Sequence, residues 1–151
     1  MPILVAPFAG MLSDRIGSRP LLAAGLALQA TAIAWLAVIL SPTMSYPLLV
    51  VPFALAGTGM ALVFAPAANT VLASVAPAEA GQASGATNAI REFGGVLGVA
   101  VLASVFSAHG SYATPSSFAA GLTAALPVGA AFLAAGAVIA LLVPRPTRQH
   151  A

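Results

Sequence analysis

The stretch PLLAAGLALQATAIAWLAVILSPTMSYP, residues 20–47, decides what kind of protein this is. It opens a run of 59 residues, Pro20 to Ala78, without one charged side chain, and a second such run extends from Phe93 to Pro144. About 20 apolar residues cross the hydrocarbon of a bilayer as a helix, so a longer run must turn back. The polar segment SPTMSYP, residues 41–47, supplies the first turn. Of the 151 residues, 60% are hydrophobic and 5% charged, with a mean hydropathy of +1.03. A soluble domain is about a quarter charged, so these few charges cannot cover a water-facing surface. The sequence describes an integral membrane protein whose first partner is the lipid bilayer.

Working outward, full spans are expected at about residues 21–40, 46–75, 85–107 and 118–143. HGSYATPSS, residues 109–117, is the polar loop between the last two. A shorter apolar piece at about 2–12 runs straight into charged residues, like the end of a helix whose beginning lies further upstream. It lacks the leading charge of a signal peptide. The expected architecture is all-α: a polytopic membrane helix bundle of four full spans and one partial N-terminal span, a partial C-terminal transmembrane domain over 1–151.

Short cytoplasmic loops retain Lys and Arg. Arg15 and Arg19, Arg91, and Arg145 and Arg148 all fall on one side of these spans, and the turns at 41–47 and 108–117 carry none. The 10–19 loop, the 76–84 loop and the C-terminus are therefore expected in the cytoplasm. Trp35, Tyr46 and Tyr112 lie towards the opposite boundary, where amphipathic rings settle.

Several function classes drop out. With no cysteine there is no thiolate metal site or thiol nucleophile, and five arginines are too few for nucleic-acid binding. There is no phosphate-cradling glycine loop, no cluster of metal-ligand spacing and no Ser/His/Asp arrangement placed for catalysis. No enzyme activity, metal or cofactor is expected.

GMLSDRIGSR, residues 10–19, gathers three of the chain's charges. Gly10 and Gly17 permit a tight turn, Asp14 can accept bonds from backbone N–H groups at a helix N-terminus, and Arg15 and Arg19 can pair with carboxylates or phosphates. Two readings stand: arginines that only hold the loop inside, and a latch that forms in one conformation and breaks in another. Gly10, Leu12, Ser13, Asp14, Arg15, Gly17 and Arg19 resemble the cytoplasmic loop signature of the major facilitator superfamily, G-x-L-[A/S]-D-[R/K]-x-G-[R/K]-[R/K], with Ser18 departing from it. PAEAGQASGATNAIREFGGVLGVAVLASVF, residues 77–106, is similar to the penultimate span of that family's fourteen-span drug:proton antiporter branch. Gly81, Ala83, Ser84, Gly85, Asn88, Arg91, Gly94, Gly95, Gly98 and Ala100 carry the likeness. The resemblance implies a bacterial plasma-membrane transporter that exports hydrophobic or cationic organic compounds against protons. It also implies a further N-terminal half as partner. The alternative is a truncated, non-transporting membrane protein that packs against others.

Gly81 and Gly85, and Gly94 and Gly98, are each four apart, with Gly95 beside the second pair, so they offer small-residue faces for close helix packing. Such faces can be static or can slide. Asn88, Arg91 and Glu92 share one helical turn at the inner edge, either as a structural cluster or as part of a cytoplasmic gate. Gln29 in mid-span and Thr58 between Gly57 and Gly59 are the substrate-binding candidates. Their plainer roles are an interhelical hydrogen bond for Gln29 and a bond to its own preceding turn for Thr58. Pro52 and Pro66 are expected to kink the same span. No carboxylate lies deep in a span, so a proton carrier is not expected in this part of the chain.

The orientation is directly testable because the chain has no native cysteine. Single cysteines at Ser13, Thr43, Ser84, Ser111 and Thr147 should react with an impermeant maleimide from outside only at Thr43 and Ser111. Outside labelling of Ser13 or Thr147 reverses the topology.

Overall fold

The computed structural model describes residues 17–142. Within them the chain forms four long helices, α1 (Ser18–Ile39), α2 (Val50–Ala73), α3 (Ala80–His109) and α4 (Pro115–Leu142). Single 3-10 turns at Tyr46–Leu49 and Pro77–Glu79 lead into α2 and α3. All four helices are long and apolar enough to cross a membrane, and no strand occurs among the described residues. This is the all-α membrane bundle the composition demands. In hydrocarbon every backbone donor must find a partner within the segment, which a helix provides. The partial span at 2–12, the residues Gly10, Asp14 and Arg15, and the tail with Arg145 and Arg148 lie outside the described residues.

Local chemistry sets the helix ends. Gly17 enters α1 at φ 86°, a left-handed backbone that disfavours any side chain. After Ile39 the chain turns extended at Leu40, and Ser41 precedes a proline, which disfavours further helix. Pro115 occupies the first position of α4, where a missing N–H costs nothing. The Thr114 hydroxyl caps that helix by accepting the Ser117 N–H at 3.1 Å. Helix α3 has 30 residues, about 45 Å, against about 30 Å of hydrocarbon. It begins at Ala80 rather than near Gly85, because its polar first turns remain helical outside the apolar layer that hydropathy detects.

Pro52 does not act as a kink. It lies in the first turn of α2, whereas Pro66, and Pro127 in α4, are the prolines inside helices. Pro52 and Pro66 are both fully buried.

Helix α1 is the centre of the bundle, packed against α2 on one side and α4 on the other, while α3 leans on α4 and barely meets α2. The α1–α2 crossing is a backbone contact. A Cβ on Gly25 would lie 2.7 Å from the Gly59 carbonyl oxygen, and one on Gly59 would lie 2.6 Å from the Gly25 carbonyl and 2.8 Å from Gln29 Cγ. The α3–α4 corner closes similarly. Gly121 lies under the buried Phe106 ring, whose centroid is 5.0 Å from Tyr112 and 5.5 Å from Phe118, and Gly110 abuts Ser117 and Gly121.

Two classes of glycine should respond oppositely. Gly59→Leu should overpack the crossing and lower the chain's stability by about 1–3 kcal/mol. Gly94→Ala and Gly98→Ala, with nothing within 4 Å, should be neutral or stabilising by up to about 1 kcal/mol. Denaturation of the purified chain in mixed micelles checks both; equal losses at all three positions contradict the packing described.

Candidate functional site

Helix α3 carries most of the distinctive residues, and it is also the least covered. Every residue from Ser84 to Val101 is exposed. Two features lie along it, a polar cluster near its beginning and a long apolar groove towards its end.

In the cluster, Arg91 donates to the Asn88 side-chain oxygen one turn earlier and stands 3.7 Å from Glu92. Its guanidinium lies over the Phe64 ring of α2, 5.4 Å from the centroid. A cation above an aromatic face is attracted by the ring quadrupole, so Phe64 holds Arg91 against α2 where the two helices otherwise touch little. Beside this contact a cleft of about 140 Å³ opens between α2 and α3, lined by Ala68, Val71, Leu72, Ser84, Thr87, Asn88 and Arg91. Asn88, Arg91 and Glu92 thus come together as their spacing requires. Phe64 was invisible to sequence reasoning, since no pattern pairs an aromatic on one helix with an arginine 27 positions later.

The groove, about 920 Å³, runs between α3 and α4 with Ile33 of α1 at its floor. Gly94, Leu97 and Gly98 form part of its α3 wall, and Leu126, Phe132 and Leu133 part of its α4 wall. It is closed at one end by the Phe106, Tyr112 and Phe118 rings. Gly81, Gly85 and Gly95, like Gly94 and Gly98, have nothing within 4 Å of where a Cβ would stand. Among the described residues, no helix occupies the glycine faces of α3.

The other candidates are dispersed. Gln29 is half-buried at the α1–α2 crossing, its Cγ against Gly59, and its amide has no hydrogen-bond partner among the described residues. Thr58 donates to the Ala54 carbonyl at 2.8 Å, the bond to its own preceding turn. The two lie on facing helices yet share neither the cleft nor the groove. Arg19 is half-buried in the first turn of α1, next to Gly17.

A buried bundle centre, an uncovered glycine-rich helix and four helices long and apolar enough to cross a bilayer define a membrane helix bundle. The sequence matches the family model of the Major Facilitator Superfamily over residues 1–151, and the chain belongs to that family. That family is one of membrane transporters and not of enzymes. The chain is 35% identical to the cephamycin export protein CmcT of Amycolatopsis lactamdurans over 139 residues, which cover 91% of this chain and 28% of that protein. It is 37% identical to the multidrug resistance protein Stp of Mycobacterium tuberculosis over 105 residues, 70% of this chain and 19% of Stp. The riboflavin transporter RibZ of Clostridioides difficile is 29% identical over 110 residues, 73% of this chain and 24% of RibZ. The chain thus spans about a fifth to just over a quarter of the length of these curated relatives. No solved structure matches it with significance.

Proposed function

We propose that the chain is the C-terminal portion of a proton-coupled efflux permease, of the fourteen-span drug:proton antiporter branch, that exports hydrophobic or cationic organic compounds. The observation that carries this reading is the surface of α3: glycine-rich, apolar from Phe93 onward, exposed from Ser84 to Val101 and bordered by a groove of about 920 Å³. A helix of that composition in a bundle this small is built to be met by further helices. Transporters of this kind alternate access by rocking one bundle against another around a central site. The names of CmcT and Stp, an exporter and a multidrug resistance protein, support efflux.

In this reading the glycines of α3, Gly81, Gly85, Gly94, Gly95 and Gly98, form the sliding face towards the N-terminal half, a partner supplied by the rest of the transporter. Gly10, Asp14, Arg15, Gly17 and Arg19 form the cytoplasmic latch, with Asp14 accepting from a helix N-terminus in one state and releasing it in the other. Asn88, Arg91 and Glu92 mark the inner end of the gate. Gln29 and Thr58 offer polar contacts to substrate near the midplane, and proton-carrying carboxylates belong to the N-terminal half. The protein sits in the bacterial plasma membrane with its C-terminus in the cytoplasm.

The complete transporter, reconstituted in liposomes with an imposed pH gradient and a cationic dye, tests this. Dye movement should require the gradient, and Asp14→Asn should slow it by between about twofold and about thirtyfold at unchanged expression, since a lost charge–helix contact is worth about 0.3–2 kcal/mol. Gradient-independent movement removes proton coupling, and full activity in Asp14→Asn removes the latch.

A further inference from the structure

The cleft between α2 and α3 has a chemistry of its own. Its α2 wall, Ala68, Val71 and Leu72, is wholly apolar, and its α3 wall, Ser84, Thr87, Asn88 and Arg91, is wholly polar. At about 140 Å³ it is too small for a drug-sized molecule, whose pockets run from about 300 to 1,000 Å³. The donors on its polar wall are only partly used. Arg91 reaches both Asn88 and Glu92 through Nη2 alone, so Nε and Nη1 have no acceptor among the described residues. Asn88 spends its side-chain oxygen on Arg91 and keeps its two amide hydrogens as donors. The Phe64 ring under the guanidinium fixes the position of the charge.

Depth narrows the ligand. Counting about 20 residues of helix back from His109, the hydrocarbon ends near Ala89 and Ile90, so Ser84 to Asn88 lie at headgroup level. Arg91 lies within one turn of it and is 54% exposed. A cationic fork with the Asn88 amide hydrogens and the Ser84 hydroxyl on one side, the Thr87 hydroxyl being spent on the Ala83 carbonyl at 2.8 Å, and leucine and valine on the other matches a phosphate joined to an apolar tail.

We propose that the α2–α3 cleft around Arg91 binds the phosphate of an anionic phospholipid headgroup, with Arg91 and Asn88 as donors and Val71 and Leu72 against the first acyl carbons. Glu92, 3.7 Å from Arg91 and outside the cleft wall, competes for the same guanidinium. Asn88 and Arg91 also stand in the proposed cytoplasmic gate, but the cleft shares no lining residue with the α3–α4 groove, and lipid binding there does not depend on the chain's having transport activity.

The test uses the chain in phosphatidylcholine vesicles with either spin-labelled phosphatidylglycerol or spin-labelled phosphatidylcholine, comparing the fractions of motionally restricted lipid. A single arginine near the surface contributes about 1 kcal/mol towards an anionic lipid, so phosphatidylglycerol should be preferred roughly fivefold. Arg91→Gln should bring the ratio close to one, and Glu92→Gln, which frees the guanidinium, should raise it above the wild-type value. Arg91→Gln also removes the contact with Phe64, so Glu92→Gln, at a side chain 71% exposed, keeps the test decisive if the α2–α3 packing loosens. A wild-type ratio near one, or a preference that survives Arg91→Gln, overturns the proposal. Loss of the preference on adding inorganic phosphate at constant ionic strength assigns the cleft to free phosphate and overturns the lipid assignment; an unchanged ratio supports it.

Discussion

The backbone contact between Gly25 and Gly59 is the interaction on which the rest of the bundle depends. Inside a membrane, hiding one leucine behind another gains little, since lipid tails are as apolar as leucine, and helices associate through close packing instead. With no side chain on either residue, α1 and α2 approach until each carbonyl occupies the place a Cβ would take on the other helix. That contact puts α1 in the middle, with α4 on its far side. Helix α3 is then left at the periphery, held to α4 by the Phe106 and Gly121 corner and to α2 by Arg91 over Phe64.

How much of this could be read from the sequence depends on the scale of the signal. The charge-free runs and the polar turn at 41–47 carry the fold, because hydrocarbon excludes charge over whole segments and the pattern survives any detail of packing. Interhelical partnerships leave no such trace. Gly57 and Gly59 read only as the residues flanking Thr58, whereas Gly59 is in fact where the backbones of α1 and α2 meet. The glycines of α3 read as a packing face, and among the described residues they pack on nothing. Spacing shows that a helix can be approached closely but not which helix approaches. Asn88, Arg91 and Glu92 could be grouped because they share one turn, while Phe64 could not, because its contact with Arg91 exists only once two helices are docked.

The same asymmetry connects structure to function. Helix α1 is spent on holding the bundle together, and Gln29 and Thr58 sit in or beside that crossing, Thr58 already bonded to its own helix. Helix α3 has its surface free, with glycines that permit sliding and an arginine anchored at one end. A family member needs a rigid scaffold and a surface that changes partners during each cycle. The division of labour between α1 and α3 fits those two needs.

The central claim is that the uncovered face of α3 changes its surroundings as the complete transporter works. Leu97, half-exposed on the groove wall, reports on it. A cysteine at Leu97 in the complete transporter should react with a water-soluble maleimide at rates that differ severalfold with and without a saturating cationic dye. A cysteine at Ala32, fully buried in α1, should stay unreactive in both conditions. Identical rates at Leu97 with and without the dye, in a protein that still transports it, would contradict the account.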